Sequence, residues 1–280
     1  MLSFFKYHLH AQQAIELYPD GIVNSKVANP PKENTPEFYF YKPEKQKNDK
    51  VFLIIPGGGY AHVAMGHEGH DVAKKLKDLG YASFVLKYRL PKATEQEDKR
   101  IVPIQDAQKA LAYIRNQAQT LGIDANKVGV IGFSAGGHLA STLSTHFGTD
   151  YLLANSDGNL LRPDFSVLVY PVISMQDELT HQGSKNNLIG PNPAQADVVR
   201  FSNELNVNAD TPPTFLVHSE DDKTVPIENS YRYQKALEKY QIPNYLFFYK
   251  SGIHGFGLVN KQDSRDWFSA MLNWVENLKF

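Results

Sequence analysis

The stretch Val128 to Ser141, VGVIGFSAGGHLAS, narrows the folds open to this chain more than any other. Apolar and β-branched residues run into Gly132-Phe133-Ser134-Ala135-Gly136, and good helix formers follow. A strand that enters such a turn and leaves it as a helix forces the central residue into a strained conformation, which only small neighbours tolerate. Ser134 would then project its hydroxyl above the sheet edge, with the Ala135 N–H aimed at whatever that hydroxyl attacks. A glycine-rich turn ahead of an ordinary helix is the competing reading, and the rest of the chain has to decide between them.

Strand and helix signals alternate around this turn. Ala14 to Tyr18 and Glu37 to Tyr41 have strand composition, and Pro30, Pro31 and Pro36 keep the connection between them extended. Val51 to Ile55 is a continuous apolar run of the length of a strand buried on both faces. Tyr81 to Tyr88, Phe165 to Tyr170, Thr214 to His218 and Tyr245 to Tyr249 read as further strands. Helical spacing spans Glu68 to Leu79, with Gly80 as C-cap, and Ile104 to Leu121, closed by Gly122. Ile227 to Tyr240 and Ser264 to Leu278 are later helix candidates. The alternation predicts an α/β fold with a doubly wound, mostly parallel sheet and antiparallel edge strands at the N-terminal side. The chain is expected to form a single domain over residues 1–280, since no linker divides it. The long connection at about residues 171–213 is expected as a lid-like insertion containing a short helix, Pro193 to Phe201, capped by Asn192.

Charge and composition remove several function classes. Lys plus Arg number 29 against 30 Asp plus Glu, a net charge of -1, so no nucleic acid or acidic membrane is expected as partner. The absence of cysteine excludes disulfides, thiolate metal sites and a cysteine nucleophile. The first residues, MLSFFKYHLHAQQAIELYPDG, lack the uninterrupted apolar core of a signal peptide, and a cytoplasmic location is expected. A homo-oligomer is compatible with the sequence.

A serine in such a turn needs a base to take its proton and an acid to orient that base. His254, in SGIHGFG after the strand ending at Tyr249, is the candidate base. Asp221 and Asp222, in HSEDDKTVP after the strand ending at His218, compete for the acid. Gly57-Gly58-Gly59, at the end of the Val51 strand, exposes backbone N–H groups that with Ala135 N–H could hold a developing oxyanion, each worth about 3 kcal/mol of barrier. Tyr60 beside that loop, and His181 and Asn187 within 171–213, are candidate substrate contacts. His62, His67, Glu68 and His70 form a histidine-rich cluster, but HEGH lacks the i, i+4 spacing of a zinc helix, so no metal is expected; Glu68 is a candidate for lining the site. GGGYAHVA likewise lacks the Gly-Lys-Ser/Thr ending of a nucleotide loop.

The segments IIPGGGY, VLKYRLP, GFSAGGHLAS, HSEDDKTVP and HGF lie in an order that resembles the α/β-hydrolase superfamily, and within it the lipase and esterase group with a glycine-rich oxyanion loop. Thr180 to Leu188 is further similar to a stretch of bacterial acetyl and acetylxylan esterases. Pro56 stands where many such enzymes have histidine, which argues against the hormone-sensitive-lipase branch. The resemblance implies Ser134, His254 and Asp222 as a triad, Gly58 and Gly59 as oxyanion donors, no cofactor, and hydrolysis of a small ester, an acetylated sugar in particular. A peptidase of the prolyl-oligopeptidase type and a non-catalytic binding protein on the same scaffold are the alternatives.

Overall fold

A computed structural model describes residues 14–27, 30–152 and 158–279, so the expectation about export, which falls mostly on residues 1–13, lies outside the described residues. Eight strands form one sheet: β1 (Ala14–Glu16), β2 (Glu37–Tyr41), β3 (Val51–Ile55), β4 (Ala82–Lys87), β5 (Val128–Phe133), β6 (Ser166–Val169), β7 (Thr214–Ser219) and β8 (Asn244–Tyr249). Their order is β1-β2-β4-β3-β5-β6-β7-β8. The β1–β2 and β2–β4 pairs are antiparallel and the rest parallel, as the α/β-hydrolase reading requires. Strands β3 and β5 are central and wholly buried, which is why they read as unbroken apolar runs rather than alternating ones.

Nine helices accompany the sheet among the described residues: α1 (Asp71–Asp78), α2 (Val102–Asn116), α3 (Ala118–Leu121), α4 (Ala135–Thr145), α5 (Gly158–Leu161), α6 (Gln182–Ile189), α7 (Gln195–Arg200), α8 (Glu228–Lys239) and α9 (Trp267–Glu276). Side chains of one strand alternate between the two faces. Leu53 and Ile55 join a core with Leu111 of α2, Leu139 of α4 and Leu237 of α8. Phe52 and Ile54 join the opposite core, with Leu76 of α1 and Trp267 and Met271 of α9. Burying side chains of this size stabilises the fold by roughly 1.5–3 kcal/mol each. Helix α4 is buried along its whole length, so the residue at its start is fixed by packing on all sides.

Several helix boundaries differ from expectation, and α9 starts at Trp267 rather than Ser264. The segment expected as one helix from Glu68 starts with a π-helical turn, Met65–His70, that passes into α1. Such wide turns occur mostly where a side chain is turned to a functional purpose. The Ile104 to Leu121 helix is broken at Gln117 (φ -97°, ψ 5°) into α2 and α3, with Gly122 closing the second in the left-handed region. Helix α7 begins two residues later than Pro193, because Ala194 is extended (ψ 146°) and supplies the carbonyls that Asp197 and Val198 N–H reach. Helix α6 was not foreseen, since QGSKNNLI is poor in helix formers. Its start is capped by the His181 ring and it stops at Gly190, with Pro191 next, both readable signals. No helix among the described residues is long and apolar enough to cross a membrane.

Candidate active site

Strand β5 delivers Ser134 to the turn with φ 52° and ψ -118°, a strained geometry for a residue bearing a side chain. Main-chain bonds maintain it: Ser134 N–H donates to Val169 O at 3.0 Å, and the Ser134 carbonyl accepts from Val172 and His138. Gly136 must lack a side chain, because a Cβ there would stand 2.1 Å from the Ile55 carbonyl oxygen. The loops after β7 and β8 bring two further groups to the hydroxyl. His254 Nε2 lies 2.9 Å from Ser134 Oγ, and His254 Nδ1 lies 2.7 Å from Asp222 Oδ2.

Of the two competing aspartates, Asp222 meets the histidine. Its Oδ1 accepts the N–H groups of Thr224 and Val225 at 2.9 and 3.0 Å. Burial works against ionisation, but hydrogen bonds from His218 and His254 outweigh it and hold the carboxyl well below the usual carboxylate range. His218, four residues earlier, is fully buried; Nε2 donates to Val225 O at 2.9 Å while sitting 3.5 Å from Asp222 Oδ2, and Nδ1 accepts from Ser230. Asp221 has a different job. It accepts from Gly252 N–H and the Ser251 hydroxyl, both at 2.8 Å, and so fastens the loop that carries His254.

Opposite Ser134 the triglycine loop is held on every side. Glu68 Oε2 takes the Gly57 N–H at 2.8 Å, the Gly57 carbonyl accepts from Ala64, and the Gly58 carbonyl accepts from Ala61 and His62. Gly58 has φ +121°, and a Cβ there would be 2.2 Å from the His62 carbonyl oxygen, so only glycine fits. The N–H groups of Gly58, Gly59 and Ala135 donate to no protein group among the described residues. Gly58 and Gly59 border a cleft of ≈ 400 Å³ together with His62, His67, Glu68, Ser134, His181, Asn187 and His254, and Ala135 follows directly on Ser134.

The three expected substrate contacts fare differently. Tyr60 is a correction: it is buried, at 2% exposure, and does not line the cleft. Its hydroxyl donates at 2.8 Å to Nδ1 of His138, whose Nε2 donates to Phe201 O at 2.8 Å. Its aromatic ring, next to the loop, looked available because nothing in the sequence reveals a histidine 78 residues later as its partner. Asn187 does line the cleft, but its amide donates to the Gly59 carbonyl at 2.8 Å and so holds the loop. His181 lines the cleft with Nδ1 turned to Ser184, and burial, then the neighbouring His254, lowers its pKa. Of the histidine-rich cluster, His70 turns away to bond the Tyr41 hydroxyl at 2.8 Å, while His62, His67 and Glu68 line the cleft, with His67 Nε2 3.6 Å from Glu68 Oε1 and Glu68 turned inward to Gly57. Sequence reasoning missed His218 and the inward course of Glu68; the spacing of His218 four residues ahead of Asp222 was the available signal.

Residues 38–237, well over half of the chain, match the BD-FAE family. The chain belongs to the BD-FAE family. This BD-FAE chain is 35% identical over 82% of its length to an acetylxylan esterase of Xylanibacter ruminicola. It is 34% identical over 87% of its length to endo-1,4-beta-xylanase B of Butyrivibrio fibrisolvens. It spans 46% and 38% of those two proteins, less than half of each. Among solved structures, an acetyl ester-xyloside bifunctional hydrolase from Caldicellulosiruptor lactoaceticus superposes with a TM-score of 0.81 at 38% identity, covering 94% of the BD-FAE chain and 95% of that one. An α/β hydrolase from a deep-sea metagenome, MGS-M1, matches at a TM-score of 0.66 and 26% identity, covering 95% and 97%. The fold is that of an α/β hydrolase.

Proposed function

We propose that the chain is a serine carboxylesterase that removes short acyl groups, acetyl foremost, from a sugar or oligosaccharide. The observation that carries this reading is the unbroken chain Ser134–His254–Asp222 on one cleft with the undonated Gly58 and Gly59 amides, the Ala135 amide following directly on Ser134. His254 Nε2 takes the hydroxyl proton as Ser134 Oγ attacks the ester carbonyl, and Asp222 holds the ring in the tautomer that can do so. The Gly58, Gly59 and Ala135 amides receive the negative charge on the carbonyl oxygen. His254 returns the proton to the departing alcohol, leaving an acyl group on Ser134. Water, deprotonated by the same nitrogen, then releases the acid.

Short acyl groups fit the lining. Among the described residues no Leu, Ile, Phe, Trp or Met borders the cleft, so a long alkyl chain would meet glycine, alanine and imidazole rather than an apolar sleeve. His62, His67 and His181 offer ring nitrogens suited to sugar hydroxyls. The names of the relatives, an acetylxylan esterase and an acetyl ester-xyloside hydrolase, support the same substrate class by likeness.

The test is hydrolysis of nitrophenyl esters of increasing chain length beside acetylated xylo-oligosaccharides, with Ser134→Ala as the control. Acetate turnover that falls steeply beyond about four acyl carbons, and vanishes in Ser134→Ala, is expected. Undiminished turnover in Ser134→Ala, or a preference for long chains, would overturn the proposal.

A further inference from the structure

Among the described residues Glu68 is the one acidic side chain on the cleft, the proposed chemistry leaves it without a task, and it is buried, at 3% exposure. Charged groups are rarely buried unless each polar atom is matched. Here both oxygens are acceptors with different partners: Oε2 takes the Gly57 N–H at 2.8 Å, and Oε1 takes the Tyr170 hydroxyl at 2.9 Å. The Tyr170 oxygen in turn accepts the Gly257 N–H at 3.0 Å. One buried relay therefore joins the loop of the three glycines, the end of β6 and the loop that carries His254.

Tyr170 is placed for this at a price in backbone strain. Its φ is 38°, and its N–H reaches across to Val217 O at 2.6 Å. The ring lies 4.8 Å from the His254 imidazole, inclined at 61°, so it also limits how far that imidazole can tilt. Strain at a residue that touches both the base and the carboxylate is the kind that persists where geometry matters.

We propose that Glu68 and Tyr170 are a positioning pair that sets the oxyanion loop and the histidine loop in register with each other. This rests on the esterase reading above. By fixing the Gly57 amide, Glu68 orients the peptide planes that follow it, and so the free Gly58 and Gly59 N–H groups. By holding Gly257, Tyr170 fixes the far side of the His254 loop. A carboxylate accepts on both oxygens; a side-chain amide keeps the Gly57 bond only by turning its NH2 to the Tyr170 oxygen, which already accepts from Gly257, and so takes away the acceptor of the Tyr170 O–H.

Glu68→Gln, Tyr170→Phe and the double variant separate this from a merely structural role. The readout is kcat and KM for nitrophenyl acetate, per active site titrated to completion with a phosphonate ester that labels Ser134. Each single variant should lower kcat about 10–100-fold with KM unchanged within about 2-fold, since the oxyanion amides act in the transition state rather than on bound substrate. The double variant should be no slower than the slower single, because the two residues form one relay. Wild-type kcat per titrated site in either single variant, or losses that multiply in the double, would overturn the pair. A wild-type protein that neither turns over the ester nor takes the phosphonate on Ser134 would overturn the esterase reading and the pair with it; failure of the pair alone leaves wild-type activity and labelling intact.

Discussion

The Ser134 turn and the segment 171–213 meet at the same cleft, yet they are held by different kinds of force. The turn is fixed by backbone: the Ser134 N–H and carbonyl are both bonded to main chain, and Gly136 lies where a Cβ would strike the Ile55 carbonyl. The segment is fixed by side-chain hydrogen bonds that cross its boundary in both directions. Asn203 donates to the His138 carbonyl, Ser141 Oγ and Thr142 Oγ1 on α4, while Asn229 of α8 accepts from Ile173 and Ser174 N–H. His138 donates to the Phe201 carbonyl. Shape imposed by main-chain bonds should resist side-chain substitution at a distance, whereas shape imposed by a buried side-chain network should fail with any one of its members.

The sharpest way to test that contrast is on the turn's side. Asp222→Asn keeps the volume and an oxygen for Thr224 and Val225, so folding should survive. The ring of His254 would lose the partner that sets its tautomer, and kcat for nitrophenyl acetate should drop on the order of 10⁴-fold with little change in melting temperature. A drop of less than about tenfold would mean that the 2.7 Å contact between Asp222 and His254 does no chemical work.

The same contrast explains what could be read from the sequence. Strands β3 and β5, Ser134 and the order of serine, aspartate and histidine were legible because each rests on local rules: a buried strand is an apolar run, and a tight strand-to-helix turn needs glycine. Asp221 and Asp222 follow the same strand, so only the family resemblance favours Asp222 in the sequence, and the hydrogen bonds to Gly252 and His254 give the two their different partners. Tyr60 was misread and α6 missed for a related reason. The partner of Tyr60 lies on α4, and α6 owes its place to Ser184, Lys185 and Leu188 being buried rather than to helix propensity.

On the side-chain-held segment the expected effects move from rate to stability. Asn203→Ala removes the amide donor shared by the His138 carbonyl, Ser141 Oγ and Thr142 Oγ1 and the acceptor of the Thr145 hydroxyl, all on α4. It should destabilise the fold by about 2–3 kcal/mol, lowering the melting temperature by roughly 4–10 °C, with kcat per titrated site within about threefold of wild type. A variant that melts like wild type but is catalytically dead would reverse the comparison, making the segment part of the chemistry and not of the scaffold.

The expected effect with no consequence at neutral pH is a dependence of stability on acid that originates in His138. Burial lowers its pKa from 6.5 to about 4, and the neutral ring suits its contacts, since Nε2 donates to the Phe201 carbonyl and Nδ1 accepts from Tyr60. In the unfolded chain the same ring takes up a proton near its ordinary value, so between these two values the unfolded state binds more protons and stability rises with pH. His138 therefore contributes its full stability above about pH 6.5 and loses it as pH falls toward 4, with nothing further to lose below that. His146, lowered to about 4 by burial and then by Arg200, acts in the same window. Asp222 has the opposite chemistry but the same sign: its depressed carboxyl contributes above the ordinary carboxylate range and is lost only at lower pH, after both histidines. Melting curves between pH 7 and 4 should thus show a loss of a few kcal/mol in the wild type, and His138→Gln, which can still donate to Phe201 and accept from Tyr60, should lose roughly half as much because His146 remains. An unchanged slope in His138→Gln would place the acid sensitivity elsewhere and remove His138 as the polar hinge between Tyr60 and Phe201.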